Sequence, residues 1–318
     1  MYRIGIDLGG TNIAVGLVDE SMSIIEKQSM PTLSERAPEA IVDDMAELCR
    51  RVAAAKGVPM TEIASVGVAS PGIADDATGR VEYANNLPFR KFPLAALIRE
   101  RLGNVEVHIA NDANAAAWGE AVAGAAKGTS DSVMITLGTG VGGGVVLDGK
   151  MLTGYTGAAS ELGHMVIRAG GEECTCGRRG CFEAYASATA LIRETKRAMA
   201  AHPESRMHAV AEENGAVDGR TAFIAAQRGD AAAQAVVDRY LDDLACGVAN
   251  IVNIFFPEVI ALSGGVANQG DALLVPLRER VRALSYGSRY AVRHTRIELC
   301  TLGYRAGVIG AALLAKQS

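Results

Sequence analysis

IGIDLGGTNIAVGLVD at residues 4–19 and MITLGTGVGGGVVLDG at residues 134–149 carry the same plan. Each reads as a strand, a small polar residue, a leucine, a glycine-rich turn and a returning strand. Asp7 matches Thr136, Leu8 matches Leu137 and Gly9 matches Gly138. Turns this short join consecutive antiparallel strands, and SIIEKQ (23–28) reads as a third strand after the Glu20-Ser21-Met22 turn. Two such units predict two lobes of related topology facing each other across a cleft. The adjacent Gly9 and Gly10 let backbone N–H groups surround a phosphate, with Thr11 and Asn12 adding side-chain donors. Asp7, at the strand tip, is placed to hold Mg²⁺ directly or through water. A plain hairpin accounts for the same Gly-Gly pair equally well.

The second turn, Gly138-Thr139-Gly140-Val141-Gly142-Gly143, matches the G-x-G-x-x-G dinucleotide pattern. That fingerprint needs a helix after the glycines, whereas VVLDGK reads as strand and turn, so the dinucleotide reading is excluded. Two glycine hairpins instead suggest paired phosphate loops closing on one nucleotide. Ser263-Gly264-Gly265-Val266 is a third turn at a strand end, where backbone can lie against a flat adenosine.

Outward from these turns, strands and helices alternate, which predicts an α/β protein. Ile41, Met45, Leu48 and Val52 recur at helical spacing between Pro38 and Gly57. A buried strand at 65–69 breaks at Ser70-Pro71-Gly72. VEVHIAND ends on Asn111-Asp112, immediately before a strong helix former. There Asp112 can point into a cleft from a rigid support. Asp and Asn are also the usual helix N-caps; the two roles are compatible, since a cap at Asn111 leaves Asp112 free. Further on, Glu183 to Ala201 reads as one long helix, Met207 to Gly219 as polar and loosely patterned, and Asp230 to Phe256 as a helix stopped by Pro257. VIALSGG reads as a buried strand, followed by a helix to about Leu284, a strand RIELCTL and a closing helix from about Arg305. We expect an N-terminal lobe at 1–123, completed by the closing helix at 304–318, and a larger lobe at 124–303.

ELGHMVIRAGGEECTCGRRGCFE (161–183) is the stretch with metal chemistry. His164 with Cys174, Cys176 and Cys181 is a full tetrahedral set for Zn²⁺, which favours nitrogen and soft sulfur donors. A closed four-ligand site is structural, so this zinc is expected to hold a loop. Disulfides or buried free thiols are the alternative reading of the cysteines, and Glu161 and Glu183 at the ends are otherwise solvated carboxylates. Cys49, Cys246 and Cys300 read as core filler.

Composition narrows the partners. The 318 residues carry 31 basic and 36 acidic side chains, a net charge of −5, with 49% hydrophobic and only 5% aromatic residues. No long basic run appears, which argues against nucleic acid. The N-terminus goes straight into strand-like sequence without a leader pattern, and no apolar stretch reaches bilayer-spanning length. A cytoplasmic, soluble protein is the expectation, and the reducing environment disfavours disulfides.

In order along the chain, DLGGTN, ASPG, NDANAAAWGE, LGTGVGGG, ELGHM and CTCGRRGCFE resemble the ROK family of bacterial sugar kinases and repressors. The resemblance covers essentially the whole chain. It implies the two-lobed actin-like (ribonuclease-H-like) fold around a Mg-ATP cleft, and a homodimer. It implies Asp112 as general base, Asp7 in the Mg-ATP site, and Gly9, Gly10, Thr11, Gly138, Thr139 and Gly140 along the phosphates, with Gly264 and Gly265 near adenosine. Asn111, Asp112, Glu161, His164 and Glu183 are implied as sugar ligands, His164 also binding zinc, with Gly72 and Asn86 as further sugar-site residues. Within the family we expect an ATP-dependent hexose kinase of the glucose-phosphorylating type. Kinases for fructose, mannose, allose or N-acetylhexosamine are the alternatives. A sugar-responsive regulator is less expected, because the first nucleotide strand begins at Arg3 and leaves no room for a DNA-reading domain.

Overall fold

The computed structural model describes residues 1–287 and 290–317. The chain forms two compact units, Met1–Val133 with Gly144–Ser160 and Cys300–Ser318, and Met134–Gly143 with Glu161–Leu299.

The first unit starts with β1 (Tyr2–Leu8), β2 (Asn12–Val18) and β3 (Ile24–Pro31), paired antiparallel. Helix α1 (Pro38–Ala55) then leads to β4 (Ile63–Ser70), parallel to β1. Ala37 supplies no side-chain cap to α1, a loss of about 1 kcal/mol relative to Ser or Asp. The buried Ile41, Met45, Leu48 and Val52 each contribute about 1.5–3 kcal/mol, so the apolar face, and not the cap, holds α1. It joins a core with Ile4, Ile6, Ile13 and Val15.

Three short strands, β5 (Ile73–Asp75), β6 (Arg80–Tyr83) and β7 (Arg90–Phe92), form a small antiparallel sheet. Helix α2 (Leu94–Arg101), β8 (Glu106–Asn111) and α3 (Asp112–Ala123) follow, giving the sheet order β3-β2-β1-β4-β8.

A second five-stranded sheet has the order β11-β10-β9-β12-β13, built from β9 (Ser132–Leu137), β10 (Val141–Leu147), β11 (Lys150–Met151), β12 (Val259–Ser263) and β13 (Arg296–Leu299). A strand after the second glycine turn, as β10 is, agrees with excluding the dinucleotide motif.

In the second unit the long helix expected over 183–201 is instead two, α4 (Glu183–Ala186) and α5 (Ala188–Ala201). Ser187 between them is extended and its Oγ caps α5 by accepting from Ala190 N at 3.1 Å. The loosely patterned 207–219 segment contains α6 (Met207–Glu213). Helix α7 (Thr221–Gln227) precedes α8 (Ala231–Phe255), which is capped by Asp230 and ends at Phe256 in the left-handed region before Pro257. Its buried face includes Tyr240, Leu244, Val248 and Ile251. Helix α9 (Asp271–Leu284) lies between β12 and β13 in the chain.

Helix α10 (Ala306–Ala312) returns to the first unit and lies on β1 and β4. A Cβ at Gly67 would stand 1.8 Å from the Ala311 carbonyl oxygen, so only glycine lets this helix seat. Glu120, 1% exposed, fixes the chain leading into α10. Its carboxylate accepts from Ala125 N (2.8 Å), Thr301 N (3.1 Å) and Leu302 N (2.8 Å).

Candidate active site and metal centre

In the first unit, β8 delivers Asn111 and Asp112 to the start of α3. Asn111 Oδ1 accepts from Ala113 N at 2.9 Å and Asn114 N at 3.2 Å, and its Nδ2 donates to the Gly72 carbonyl at 2.9 Å. Asn111 is therefore the cap, and it also ties the Ser70-Pro71-Gly72 turn to the helix. Asp112 bonds the adjacent Ala113 N at 2.8 Å, and its carboxylate remains exposed. The protein crowding around that exposed group still strips enough water to push its carboxyl above the usual aspartate range. The N–H groups of Ala113 and Asp112 itself and the Asn111 side chain pull the other way. A carboxylate raised in this manner is a better proton acceptor.

Asp7 sits at the end of β1, half-buried, with its carboxylate against Gly307 at the start of α10. Burial raises its carboxyl, the Asp112 charge raises it further, and Lys27 lowers it. A cation beside Asp7 would offset the repulsion from Asp112. The adjoining turn is stapled: Gly9 N donates to Asn12 O at 2.9 Å, and Thr32 reaches the Gly9 carbonyl with Oγ1 (2.6 Å) and the Thr11 carbonyl with N (2.9 Å). Thr11 and Asn12 are exposed. Gly10 packs against exposed Asn86, where a Cβ would approach Asn86 Cβ to 2.8 Å.

In the second unit the turn at 138–140 is held from α5. The Gly138 carbonyl accepts from Ala188 N at 2.8 Å and the Thr139 carbonyl from Thr189 Oγ1 at 2.7 Å. Gly264 has φ +90° and abuts the Leu137 backbone, while the space beside Gly265 is open. Glu161 is exposed, directly before a short 3-10 turn, Leu162–His164.

Glu183 links this turn to the cysteine loop. Its Oε2 accepts from Val141 N at 3.0 Å, and its Oε1 from Thr175 Oγ1 at 3.0 Å and Cys174 Sγ at 3.6 Å. An added Cβ at Gly140 would lie 2.2 Å from Glu183 Oε2. Sequence reading assigns Glu183 a sugar role alone. Its bond to the glycine turn is invisible in one dimension, and so are the Thr32 and Thr189 staples.

His164, Cys174, Cys176 and Cys181 converge, with one ligand atom from each lying within 4.8 Å of all the others. His164 Nδ1 is 3.7 Å from Cys174 Sγ, and Cys176 Sγ is 3.7 Å from Cys181 Sγ. Thiolates bound to zinc at about 2.3 Å in a tetrahedron stand about 3.8 Å apart, whereas a disulfide needs about 2.05 Å. The four residues fit zinc. The backbone N–H of Arg178 favours a thiolate at Cys176, drawing its thiol down to about 6, whereas burial opposes one at Cys174, lifting its thiol to about 11. The Arg178 guanidinium also stands 4.0 Å from Cys181 Sγ and donates to the His164 carbonyl. Cys49 is fully buried and Cys246 half-buried.

No helix among the described residues is long and apolar enough to cross a membrane. Comparison with known proteins matches residues 3–318 to the ROK family. The glucokinase of Thermotoga maritima is 38% identical over 315 residues, 99% of this chain and 97% of that one. A ROK family glucokinase from Streptomyces griseus, solved with glucose and AMPPNP, is 35% identical with a TM-score of 0.80 over all of both chains. A ROK hexokinase from Thermus thermophilus is 35% identical with a TM-score of 0.81, covering 98% of this chain and 97% of that one. The fold class expected from the sequence, α/β and two-lobed, is the fold of these structures. Matched along nearly its whole length by family, sequence and structure, the chain belongs to the ROK family.

Proposed function

We propose that the chain is an ATP-dependent glucokinase, transferring the γ-phosphoryl group of ATP to D-glucose to give glucose 6-phosphate and ADP. The observation that carries this is full-length similarity to glucokinases, 38% identity to the Thermotoga maritima enzyme, joined to a site in which Asn111 takes over capping and the Asp112 carboxylate stays exposed. In this reading Asp112 accepts the proton of the sugar hydroxyl as that oxygen attacks the γ-phosphorus, and ADP leaves. Asn111, Glu161, His164 and Glu183, with Gly72 and Asn86, hydrogen-bond the hydroxyls. A mismatched sugar then leaves a buried polar group unpaired.

The N–H groups and side chains of residues 9–12 and 138–140 position the phosphates, and Gly264 and Gly265 lie against adenosine. Asp7 would hold Mg²⁺, which supplies charge stabilisation on the phosphoryl oxygens when bound. His164, Cys174, Cys176 and Cys181 would hold zinc, which fixes the loop carrying His164 and Glu183. With Nδ1 turned to the cysteines, the other ring nitrogen of His164 remains for a hydroxyl.

The test is ADP release by purified protein across about ten hexoses, since contacts to single hydroxyls set discrimination. Glucose should give the highest kcat/KM. A higher value for mannose, fructose, allose or an N-acetylhexosamine refutes the glucose assignment, and no release with any sugar refutes the kinase.

A further inference from the structure

His108 lies on β8, shortly before Asn111, and a carboxylate faces each of its ring nitrogens. Asp76 Oδ2, from the turn after β5, stands 3.0 Å from Nδ1, and Glu106 Oε1 stands 3.0 Å from Nε2. A neutral imidazole has one N–H and one lone pair, so it satisfies only one of these acceptors. The imidazolium donates to both, and the arrangement fits that form. The Asp76 bond, above all, raises the His108 pKa over the ordinary histidine value, while burial works against it and Glu106 adds to it.

Other groups packed against this stretch leave the two carboxylates in control. Strand β4, which pairs Gly67 with His108, and α10, which lies on Gly67, carry no titratable side chain. Helix α2 packs on the opposite face, where Val107 and Ile109 share a core with Leu94 and Ile98. Asp75 on β5 is spent within its own turn, on Ala77 N and Thr78 Oγ1. Glu120 of α3 is bonded to Ala125, Thr301 and Leu302, and Asp112 stands at the start of that helix. The C-terminal turn Leu314–Gln317, which also touches β8, carries Lys316.

The clamp joins two segments that matter to the site. Before β5, the Gly72 carbonyl accepts from Asn111 Nδ2 at 2.9 Å; after β5, Asp76 Oδ1 accepts from Ile109 N at 2.8 Å while Oδ2 meets His108. Gly72 is wedged against β6, since a Cβ there would stand 1.9 Å from the Tyr83 carbonyl oxygen. The small sheet β5-β6-β7 therefore moves as a piece, with Gly72 at one end and Asn86 in its β6–β7 loop. Deprotonation leaves His108 one N–H and no charge, and a charge-assisted hydrogen bond is roughly twice as strong as a neutral one.

We propose that His108 is a positioning residue: protonated, it holds the small sheet bearing Gly72 and Asn86 against the strand bearing Asn111 and Asp112, and it releases that hold as pH rises. The consequence for sugar binding rests on the glucokinase reading; the clamp itself does not. Because the folded pKa is raised, the hold is complete below the ordinary histidine value and is lost as pH climbs through the folded one.

NMR of the full-length protein from about pH 6 to 10 tests it, with the His108 ring signal identified by its absence from His108→Gln. Its midpoint should lie above the ordinary value of about 6.5. The Asn111 side-chain amide signal should shift with the same midpoint in the wild type and stay in place in His108→Gln. Asp76→Asn keeps an acceptor for Ile109 N and removes the charge, so it should lower the midpoint; it keeps the test open where His108→Gln does not fold. In ADP-release assays the wild-type glucose KM should rise through that midpoint by about two- to fivefold, the scale of a partly exposed ion pair. The ATP KM should not follow, and His108→Gln should hold the higher glucose KM at every pH. A midpoint at or below the ordinary value, an Asn111 signal indifferent to it, or the same glucose KM profile in wild type and His108→Gln overturns the inference. A protein without turnover whose two signals still titrate together fails the glucokinase reading and supports the clamp.

Discussion

Gly140→Ala is the most direct perturbation of the link between the glycine turn and the cysteine loop. The new Cβ would stand 2.2 Å from Glu183 Oε2, far inside van der Waals contact, and the carboxylate is the part that can yield. Swinging away breaks its bond from Val141 N, 3.0 Å long. A hydrogen bond to a charged group is worth about 1.5–3 kcal/mol, which is about 10- to 150-fold in an equilibrium constant. The Thr175 bond to Oε1 keeps the side chain in the neighbourhood, so the loss should fall toward the lower end of that range. If Glu183 reads a sugar hydroxyl, the whole effect appears in sugar recognition. Initial rates from an ADP-coupled assay, with glucose varied at saturating ATP and then the reverse, should give a glucose KM raised about tenfold or more. The KM for ATP should move much less. An unchanged glucose KM with a raised ATP KM refutes the reasoning, because residue 140 would then matter only as part of the phosphate turn.

Asp112→Asn should lower kcat by roughly 10²–10⁴, the usual range for loss of a general base, with a smaller change in glucose affinity; near-normal turnover in the folded variant removes the assignment. The raised carboxyl also fixes a sign. The folded state holds the Asp112 proton more tightly than the unfolded chain does, so ionisation costs stability as pH rises past the folded pKa. Asp112→Asn should therefore melt no lower than the wild type at neutral pH, and the acid limb of the wild-type rate profile should lie above the ordinary aspartate range. A melting temperature well below that of the wild type at neutral pH, dropping no further on acidification, contradicts this. Elemental analysis should find about one zinc per chain, and Cys176→Ser should lose it, raising the glucose KM before the ATP KM. A fully active wild type without metal eliminates the structural zinc.

The glycine turns were legible because a hairpin is a local structure, although the contacts that staple them are not. Asp7 to Asn12 form the hairpin that their spacing implies, and Asn111 caps α3 as its position before the helix former suggests. The convergence of His164, Cys174, Cys176 and Cys181 was legible from chemistry, since few other arrangements place three cysteines and a histidine within so short a stretch. Ser187 shows the limit. Ala184-Tyr185-Ala186-Ser187-Ala188 is good helix sequence, and the break arises where Gly138 O takes the Ala188 N–H, a tertiary contact overriding propensity. The strands β5 to β7 span three or four residues each, too few for a period-two pattern to emerge.

Helix α10 sits on β1 and β4, which are made at the start of the chain, while α10 itself is made at the end. During synthesis the sheet of the first unit therefore emerges with one face bare, and every residue of the second unit must follow before its cover exists. Gly67 and Ala311, almost touching in the finished molecule, lie 244 positions apart in the chain (311 − 67). Closing such loops is slow, and an uncovered sheet face invites association with other chains in the meantime. Completion of α10, and not emergence of the sheet, is thus the moment at which Asp7 acquires its backing from Gly307.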